Sequence, residues 1–248
     1  MVNHVFIQAR FDSKRLPGKI LYRICGKSIL EIIVEKAKKI KQIDKIVLIT
    51  GEQNKNKKLI DEANRLGLEV FTGNDENILD RISKASIKYD SDIIIRLTGD
   101  NPLIDFNIIN HGLDLFQNND YDFLNIDKKT YPLGLNFEII RQSMLASYWN
   151  THFDSYQNEN AFFNNFIPID LENYKHTKFR ISKLIYPENL SHMRFTLDFK
   201  EDFLLISKIF NELYQKNYFF VLDDILKFIQ KNPHLLEINK KYISNNIN

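Results

Sequence analysis

The first half of the chain shows two patterns of hydrophobic and polar positions, which follow each other in turn along the sequence. Short runs rich in β-branched residues predict strands, and longer runs with apolar residues three or four positions apart predict helices. The predicted strands are His4–Gln8, Lys45–Thr50, Glu69–Phe71, Asp92–Leu97, Asp122–Asn125 and Asn136–Ile140. The predicted helices are Ile29–Ile40, Asn56–Leu66, Ile78–Tyr89 and Ile108–Gln117. Because this alternation is typical of βαβ units, the sequence predicts an α/β fold with a mostly parallel sheet.

The second half of the chain has a less regular pattern. Arg194–Leu197 is predicted as a strand that ends at Asp198, and the amphipathic segments Lys200–Tyr214 and Leu222–Gln230 are predicted as helices. The polar and aromatic segment Thr151–Asn165 fits either a loop over a site or a helix that faces a partner. Because there is no internal repeat and no Gly/Ser-rich linker, a single domain is expected over the whole sequence, 1–248.

Composition and charge exclude several classes of protein. Hydrophobic residues make up 44% of the 248 residues and charged residues 27%, as in ordinary globular proteins. The net charge is only +2, so no bulk positive field favours nucleic acid, and any anion site must be local. No stretch approaches the roughly 20 apolar residues of a membrane span, which makes the cytoplasm the expected compartment. The single cysteine, Cys25, is expected to be a small buried residue without a chemical role.

A basic loop follows the first predicted strand. Its four basic residues are Arg10, Lys14, Arg15 and Lys19. Open α/β sheets place their ligands at the carboxyl ends of strands, where cationic side chains and backbone N–H groups can converge on a phosphate. The spacing fits neither a Walker A loop nor a dinucleotide fingerprint. The alternative is a solvated basic turn.

Two aspartates follow predicted strands. Asp100 comes directly after a buried strand, with Gly99 permitting a close backbone approach, and Asp198 has the same placement. Two acidic strand ends could share one Mg²⁺, which accepts few carboxylates and keeps water or phosphate oxygens as its other ligands. The alternatives are that Asp100 caps the next turn and that Asp198 caps the helix beginning near Lys200.

Four motifs in a fixed order carry a family resemblance. They are RFDSKRLPGK, TGDNPLID, YPLGLNFE and SHMRFTLDFKEDF. From about Phe6 to about Leu213 the chain resembles the cytidylyltransferases of the SpsF (spore coat polysaccharide biosynthesis) type, which are relatives of the CMP-Kdo and CMP-acylneuraminate synthetases. The resemblance implies a Rossmann-like, mostly parallel sheet of the nucleotidyltransferase (glycosyltransferase-A) type with helices on both faces. It also implies CTP and Mg²⁺ as reactants, and a homodimer with a dimerisation or acceptor-loop region around 126–192.

The resemblance also implies roles for individual residues. The nucleotide-binding candidates are Arg10, Ser13, Arg15 and Lys19, with Asp80 and Arg81 as secondary ones. The metal candidates are Asp100 and Asp198, and the catalytic candidates are Arg10, Lys19 and Asp100. The acceptor candidates are Arg96, Asn136, Glu138 and Glu159, although Arg96 also fits a buried structural ion pair.

Two departures from the family fall in the acceptor half of the site. Asn136 stands where family members commonly carry an aspartate, and Asn158-Glu159-Asn160 stands where they carry Arg-Glu-His.

The predicted reaction is transfer of CMP from CTP to an acidic sugar, such as an ulosonic acid, which gives a CMP-sugar and pyrophosphate for surface polysaccharide synthesis. Three alternatives remain: a phosphorylated acceptor that gives a CDP-linked product, a non-catalytic nucleotide-binding subunit, and a glycosyltransferase that consumes a sugar nucleotide. The carboxylate pair Asp100 and Asp198 argues against the non-catalytic subunit. A glycosyltransferase would not need so basic a loop.

Overall fold

The computed structural model describes residues 1–152 and 179–243. The strands are β1 (Asn3–Gln8), β2 (Arg23–Ile24), β3 (Lys27–Ser28), β4 (Lys45–Thr50), β5 (Glu69–Thr72), β6 (Ile93–Thr98), β7 (Phe123–Ile126), β8 (Phe137–Arg141) and β9 (Ile181–Leu184). The helices are α1 (Ile29–Ala37), α2 (Lys57–Arg65), α3 (Ile78–Lys88), α4 (Phe106–Asn118), α5 (Gln142–His152), α6 (Lys200–Leu213) and α7 (Leu222–Lys231). Short 3₁₀ helices cover Lys19–Leu21, Pro233–Ile238 and Lys240–Tyr242.

Within the described part of the chain, seven strands form one sheet in the order β5-β4-β1-β6-β8-β7-β9. The pairs β5–β4, β4–β1, β1–β6 and β7–β9 are parallel, and β8 runs antiparallel to both of its neighbours. The strands β2 and β3 form a separate antiparallel hairpin. The predicted α/β fold with a mostly parallel sheet is therefore confirmed.

Helices cover both faces of the sheet. Successive residues of a strand point to opposite faces, so alternate residues of β1 pack against different helices. Val5 and Ile7 belong to the core cluster that contains apolar residues of α1, α2, α4, α6 and α7. Phe6, between them, belongs to the cluster that contains residues of α3 and α5. No helix in residues 1–152 or 179–243 is both long enough and apolar enough to cross a bilayer.

The predicted strand at Arg194–Leu197 is wrong. Within this segment only Arg194 forms a bridge, with Leu133, and it lies outside the named strands. The Leu197 N–H donates to the Asp100 carbonyl, at 2.7 Å. Phe195 and Leu197 are fully buried in the core, so their apolar pattern reports burial rather than entry into the sheet.

The prediction of a buried Cys25 is also wrong, since this residue is exposed. Cys25 and Gly26 form the two-residue turn of the β2–β3 hairpin and have φ angles of 51° and 81°. Two consecutive positive φ values are typical of the turn that matches the twist of a hairpin. The elements β9 and α5 were not predicted, and residues 153–165 of the segment Thr151–Asn165 lie outside the described residues.

Lys36 is a buried cation that ties two connections together. Its side chain lies on the buried face of α1, and Nζ donates to the carbonyls of Ile104 (3.2 Å) and Phe220 (2.9 Å). Burial lowers the pKa of Lys36 from 10.5 to about 8, and the charges of Asp105 and Asp224 offset only part of this shift. Below pH 8 the buried positive charge therefore destabilises the native state, and this destabilisation decreases as the pH rises toward 10.5.

This shift leads to a prediction for stability. Between about pH 7.5 and about pH 9.5, the Lys36 contribution to the free energy of unfolding is expected to rise by about 2 kcal/mol, because the unfolded chain binds more protons in that range. Urea denaturation of the wild type and of Lys36→Met at the two pH values measures it. The free energy of unfolding of the wild type minus that of Lys36→Met should rise by about 2 kcal/mol between the two pH values, and a constant difference would contradict a lowered pKa.

Candidate functional site

A cleft of about 730 Å³ opens at the carboxyl ends of β1 and β6. In the described structure its basic lining residues are Arg10, Lys14, Arg15, Lys19, Arg81 and Arg96, and its acidic ones are Asp75 and Asp100. With six cations and two carboxylates in its lining, the cleft is a positive place in a chain whose net charge is only +2. The cleft is therefore a local cluster of cations, which is the kind of place where the sequence predicts any anion site to lie.

The basic loop is held by its few apolar residues. Leu16 and Ile20 are buried in the core, whereas Arg10 and Arg15 are exposed. Gly18, at φ 69°, donates its N–H to the Phe11 carbonyl (3.0 Å) and turns the chain into the first 3₁₀ helix. The basic side chains of the loop, together with the buried Ser13, line the cleft. The loop is therefore anchored by its apolar residues and presents its basic side chains to the cleft.

Asp198 is the meeting point of three cations. Its Oδ1 accepts hydrogen bonds from Lys19 Nζ (2.9 Å) and from the Arg15 guanidinium (2.7 Å), and its Oδ2 accepts one from Arg194 (3.1 Å). Burial alone would raise the pKa of Asp198, but the charges of Lys19, Arg15 and Arg194 outweigh it and hold the pKa below its usual value. Asp198 is consequently a carboxylate at neutral pH.

Asp100 lies beside the same ammonium group. Lys19 Nζ is 3.6 Å from Asp100 Oδ2, and the Thr98 hydroxyl donates to Asp100 Oδ1 at 2.6 Å. A Cβ atom at Gly99 would lie 2.7 Å from the Ala9 Cβ, which real side chains essentially never show. Glycine therefore allows the ends of β1 and β6 to approach closely and brings Asp100 to the basic loop.

The capping role considered for Asp198 is wrong. The N-cap of α6 is Phe199, and the Asp202 carboxylate accepts its N–H at 2.9 Å. Asp202 supplies the cap, and the Asp198 carboxylate instead contacts Lys19 and Arg15 of the basic loop, although Asp198 is not among the described residues that line the cleft. For Asp100, the described residues show the Thr98 hydroxyl as donor and no backbone N–H, so a turn cap is not seen there either.

A buried network behind Asp198 was missed by the sequence analysis. Arg194 donates to Asp202 through Nε (2.9 Å) and through its terminal nitrogen (3.0 Å), in the fork geometry typical of Arg–carboxylate pairs. Asn239 Nδ2 donates to Asp202 Oδ1 at 2.8 Å. The signal in the sequence was the motif SHMRFTLDFKEDF, which contains Arg194 and Asp202, but nothing in the sequence links Asn239 to it.

The acceptor candidates Arg96 and Glu138 form a buried ion pair. They are directly opposite in the β6–β8 register, with 2.8 Å between the guanidinium and the carboxylate, and Arg96 Nε also donates to Gln8 Oε1 (2.7 Å). Arg96 still lines the cleft. Asn136 Oδ1 is buried and has no hydrogen-bond partner in the described residues, which is rare for a buried oxygen. Glu159 lies outside the described residues.

The secondary nucleotide candidates diverge. Asp80 is buried and paired with Lys84 one turn along α3 (2.8 Å), and it is not among the described residues that line the cleft. Arg81 lines the cleft and also donates to the carbonyls of Asn74 and Asp75. The geometry therefore brings Arg81 to the other candidates and not Asp80.

Asp100 and Asp198 fit a hard divalent cation. The described residues contain no group of three His, Cys, Asp or Glu side chains that could hold a metal. Mg²⁺ needs fewer, because it takes one or two carboxylates and completes its shell with water and phosphate oxygens. Since both carboxylates contact the Lys19 ammonium, they face one point at the edge of a cationic cleft. The pair therefore suits a metal that arrives with phosphates.

A positive cleft at the carboxyl edge of a mostly parallel sheet is typical of α/β proteins that bind phosphorylated ligands. Within that class, a family model described as cytidylyltransferase matches residues 4–241. The chain belongs to the cytidylyltransferase family.

Three comparisons agree with this assignment. The chain is 30% identical over 220 residues to the spore coat polysaccharide biosynthesis protein SpsF of Bacillus subtilis, a match that covers 85% of each protein. It is similar to a solved cytidylyltransferase of Leptospira borgpetersenii, with a TM-score of 0.83, 31% identity and coverage of 95% of this chain and 97% of the other. A CMP-2-keto-3-deoxy-manno-octonic acid synthetase complexed with CTP matches at a TM-score of 0.63 and 16% identity, over 86% of this chain and 99% of the other, which supports the fold alone. The resemblance and the fold predicted from the sequence are confirmed.

Proposed function

We propose that this protein transfers CMP from CTP to an acidic sugar and releases pyrophosphate, with Mg²⁺ as the metal. The observation that carries the proposal is the single ammonium of Lys19 in contact with both Asp100 and Asp198, at the edge of a cleft with six cationic side chains. Several cations are needed to neutralise a triphosphate, and carboxylates are needed to bind the metal ion that accompanies it.

In this proposal the basic loop binds the triphosphate. Arg10, Arg15 and Lys19 neutralise its oxygens, while Asp100 and Asp198 hold Mg²⁺, which when bound supplies further charge stabilisation on the phosphates. An acceptor hydroxyl attacks the α-phosphorus, the bond to the β-phosphate breaks, and pyrophosphate leaves. Such a transfer needs positioning and charge stabilisation more than covalent help from the protein, in keeping with the side chains that line the cleft.

The acceptor half lies next to Arg96 in the proposal. Glu138 already neutralises Arg96, so the pair offers a fixed hydrogen-bonding edge with little net charge. Asn136 is the other acceptor candidate of this half, and its buried Oδ1 has no hydrogen-bond partner in the described residues. An asparagine at a position where the family commonly has aspartate also repels an anionic acceptor less. A cytoplasmic location, a single domain and a homodimer follow from the sequence and the resemblance and belong to the same proposal.

The test is pyrophosphate release. Each nucleoside triphosphate is combined with a panel of ulosonic and nonulosonic acids and with phosphorylated acceptors, with Mg²⁺ present and chelated. Release is expected with CTP and an acidic sugar, and only when Mg²⁺ is present. Release only with a phosphorylated acceptor would replace the CMP-sugar product by a CDP-linked one, and no release with any pair would contradict catalysis.

A further inference from the structure

We propose that Asn239 is a positioning residue that holds Asp198 in place for the divalent cation. The inference rests on the proposed function, since it assigns a residue of the carboxyl-terminal segment to the metal half of the site. Asn239 lies about forty residues beyond Asp198 in sequence and does not line the cleft among the described residues. It acts through Arg194 and Asp202.

Asn239 joins two parts of the network with one amide group. Its Nδ2 donates to the Arg194 carbonyl (2.9 Å) and to Asp202 Oδ1 (2.8 Å), and the residue is only 1% exposed. Arg194 in turn pairs with Asp202 and donates to Asp198 Oδ2. The amide therefore fixes both the main chain and the salt-bridge partner of the arginine that orients Asp198.

Asp202 carries the same constraint to the backbone of Asp198. Its Oδ2 accepts the N–H groups of Asp198 and Phe199, both at 2.9 Å, and the side chain is fully buried. A shift of Asp202 would consequently move the main chain of Asp198 as well as Arg194. The hydrogen bond from Asn239 is one of the contacts that fix the position of the Asp202 side chain.

The segment that carries Asn239 is clamped onto this region. The ring of Tyr242 stacks on that of Phe199, with 3.8 Å between centroids and an angle of 4°. Lys241 also pairs with Glu201 at 2.7 Å. Because these contacts hold the segment from the outside, removal of the Asn239 amide should loosen the interior network without releasing the segment.

The test is metal binding by Asn239→Ala. Mn²⁺ serves as the probe and is titrated into protein saturated with CTP, without acceptor. Loss of a group that orients a metal ligand typically costs about 10–100-fold in affinity, and this weakening is expected here. Hydrogen exchange of the Asp198 and Phe199 amides is expected to become faster, whereas CTP binding in the presence of a chelator should stay at the wild-type value.

Asn232→Ala is the matched control. Asn232 lies in the same segment, and its Nδ2 also donates to a main-chain carbonyl, that of Phe228 (3.0 Å), but it does not contact Asp202 in the described structure. Its Mn²⁺ affinity is expected to equal that of the wild type. If Asn239→Ala melts below the assay temperature, Asn239→Ser, which keeps a short donor, replaces it.

The outcomes separate the two proposals. Weak Mn²⁺ binding by the Asn239 variant alone supports the positioning role. Equal Mn²⁺ affinity in the wild type and the Asn239 variant, or an equal loss in Asn232→Ala, overturns it and leaves the proposed function untouched. Failure of the wild type itself to bind Mn²⁺ in the presence of CTP counts against the proposed metal site, and with it against both.

Discussion

Replacement of Asp100 by asparagine is expected to lower kcat by about a thousandfold or more, because charge stabilisation by a metal is worth several kcal/mol at about 1.4 kcal/mol per factor of ten. The free energy of unfolding should change little. The Asp100 side chain is 32% exposed, and asparagine can still accept the hydrogen bond from Thr98. Pyrophosphate release measures the first effect and urea denaturation the second.

Asp92→Asn provides the control for this prediction. Asp92 directly precedes β6, so it lies at the opposite end of the strand that leads to Asp100, where its carboxylate accepts the Val2 N–H at 2.7 Å. Its side chain is 56% exposed, and wild-type turnover is expected. Turnover of Asp100→Asn at the wild-type rate with an unchanged Mg²⁺ requirement would remove Asp100 from the metal site.

The strands of the parallel half could be predicted because burial and pairing agree there. In β1, β4 and β6 most residues are buried on both faces, so a short β-branched run correctly indicates a central strand. The same reasoning failed at Arg194–Leu197, where burial is real but the hydrogen bonds go to Leu133 and Asp100. A single sequence reports the apolar environment of a segment and not the partner of its N–H groups.

The candidate site divides in the same way. The basic loop could be predicted because Arg10–Lys19 is contiguous in sequence and follows a strand. The motif that contains Asp198 also contains Asp202, and the sequence could not show which aspartate contacts the basic loop and which caps α6. Only the three-dimensional structure separates them, since Asp202 is fully buried against Arg194 and Asn239.

Charge explains why the cleft needs this supporting network. Asp198 contacts three cations, Lys19, Arg15 and Arg194. Without further support, the position of its carboxylate would change whenever one of these side chains moved. Buried ion pairs contribute to stability only when further hydrogen bonds satisfy both partners. Asp202 and Asn239 supply those bonds to Arg194, which keeps one of the three cations fixed, while the other two belong to the basic loop that lines the cleft.

Gly134→Ala is expected to lower the free energy of unfolding by about 3 kcal/mol or more, because a left-handed backbone costs other residues about 1–2 kcal/mol and overpacking adds about 1–3 kcal/mol. Gly134 has φ 109°, and a Cβ atom there would lie 2.3 Å from both the Phe195 carbonyl carbon and the Thr196 nitrogen. Main-chain atoms cannot rotate away as a side chain can. Urea denaturation measures the loss.

Turnover is expected to fall with stability in this variant, because the segment that must move carries Asp198. The Phe195 N–H donates to the Leu133 carbonyl at 2.6 Å, and the Leu197 N–H donates to the Asp100 carbonyl at 2.7 Å. A displaced segment would therefore draw Asp198 away from Asp100 and from the Lys19 ammonium between them. Pyrophosphate release, assayed well below the melting temperature of the variant, separates this effect from unfolding.

Gly67→Ala separates strain from crowding. Gly67 also has a positive φ, 71°, but a Cβ atom there would meet nothing within 4 Å. Gly67→Ala should therefore lower the free energy of unfolding only by the roughly 1–2 kcal/mol that a left-handed backbone costs a residue other than glycine. Turnover should stay unchanged. If Gly134→Ala were no more destabilising than Gly67→Ala and kept full turnover, the close contact between Gly134 and the segment leading to Asp198 would not be what holds that aspartate beside Lys19.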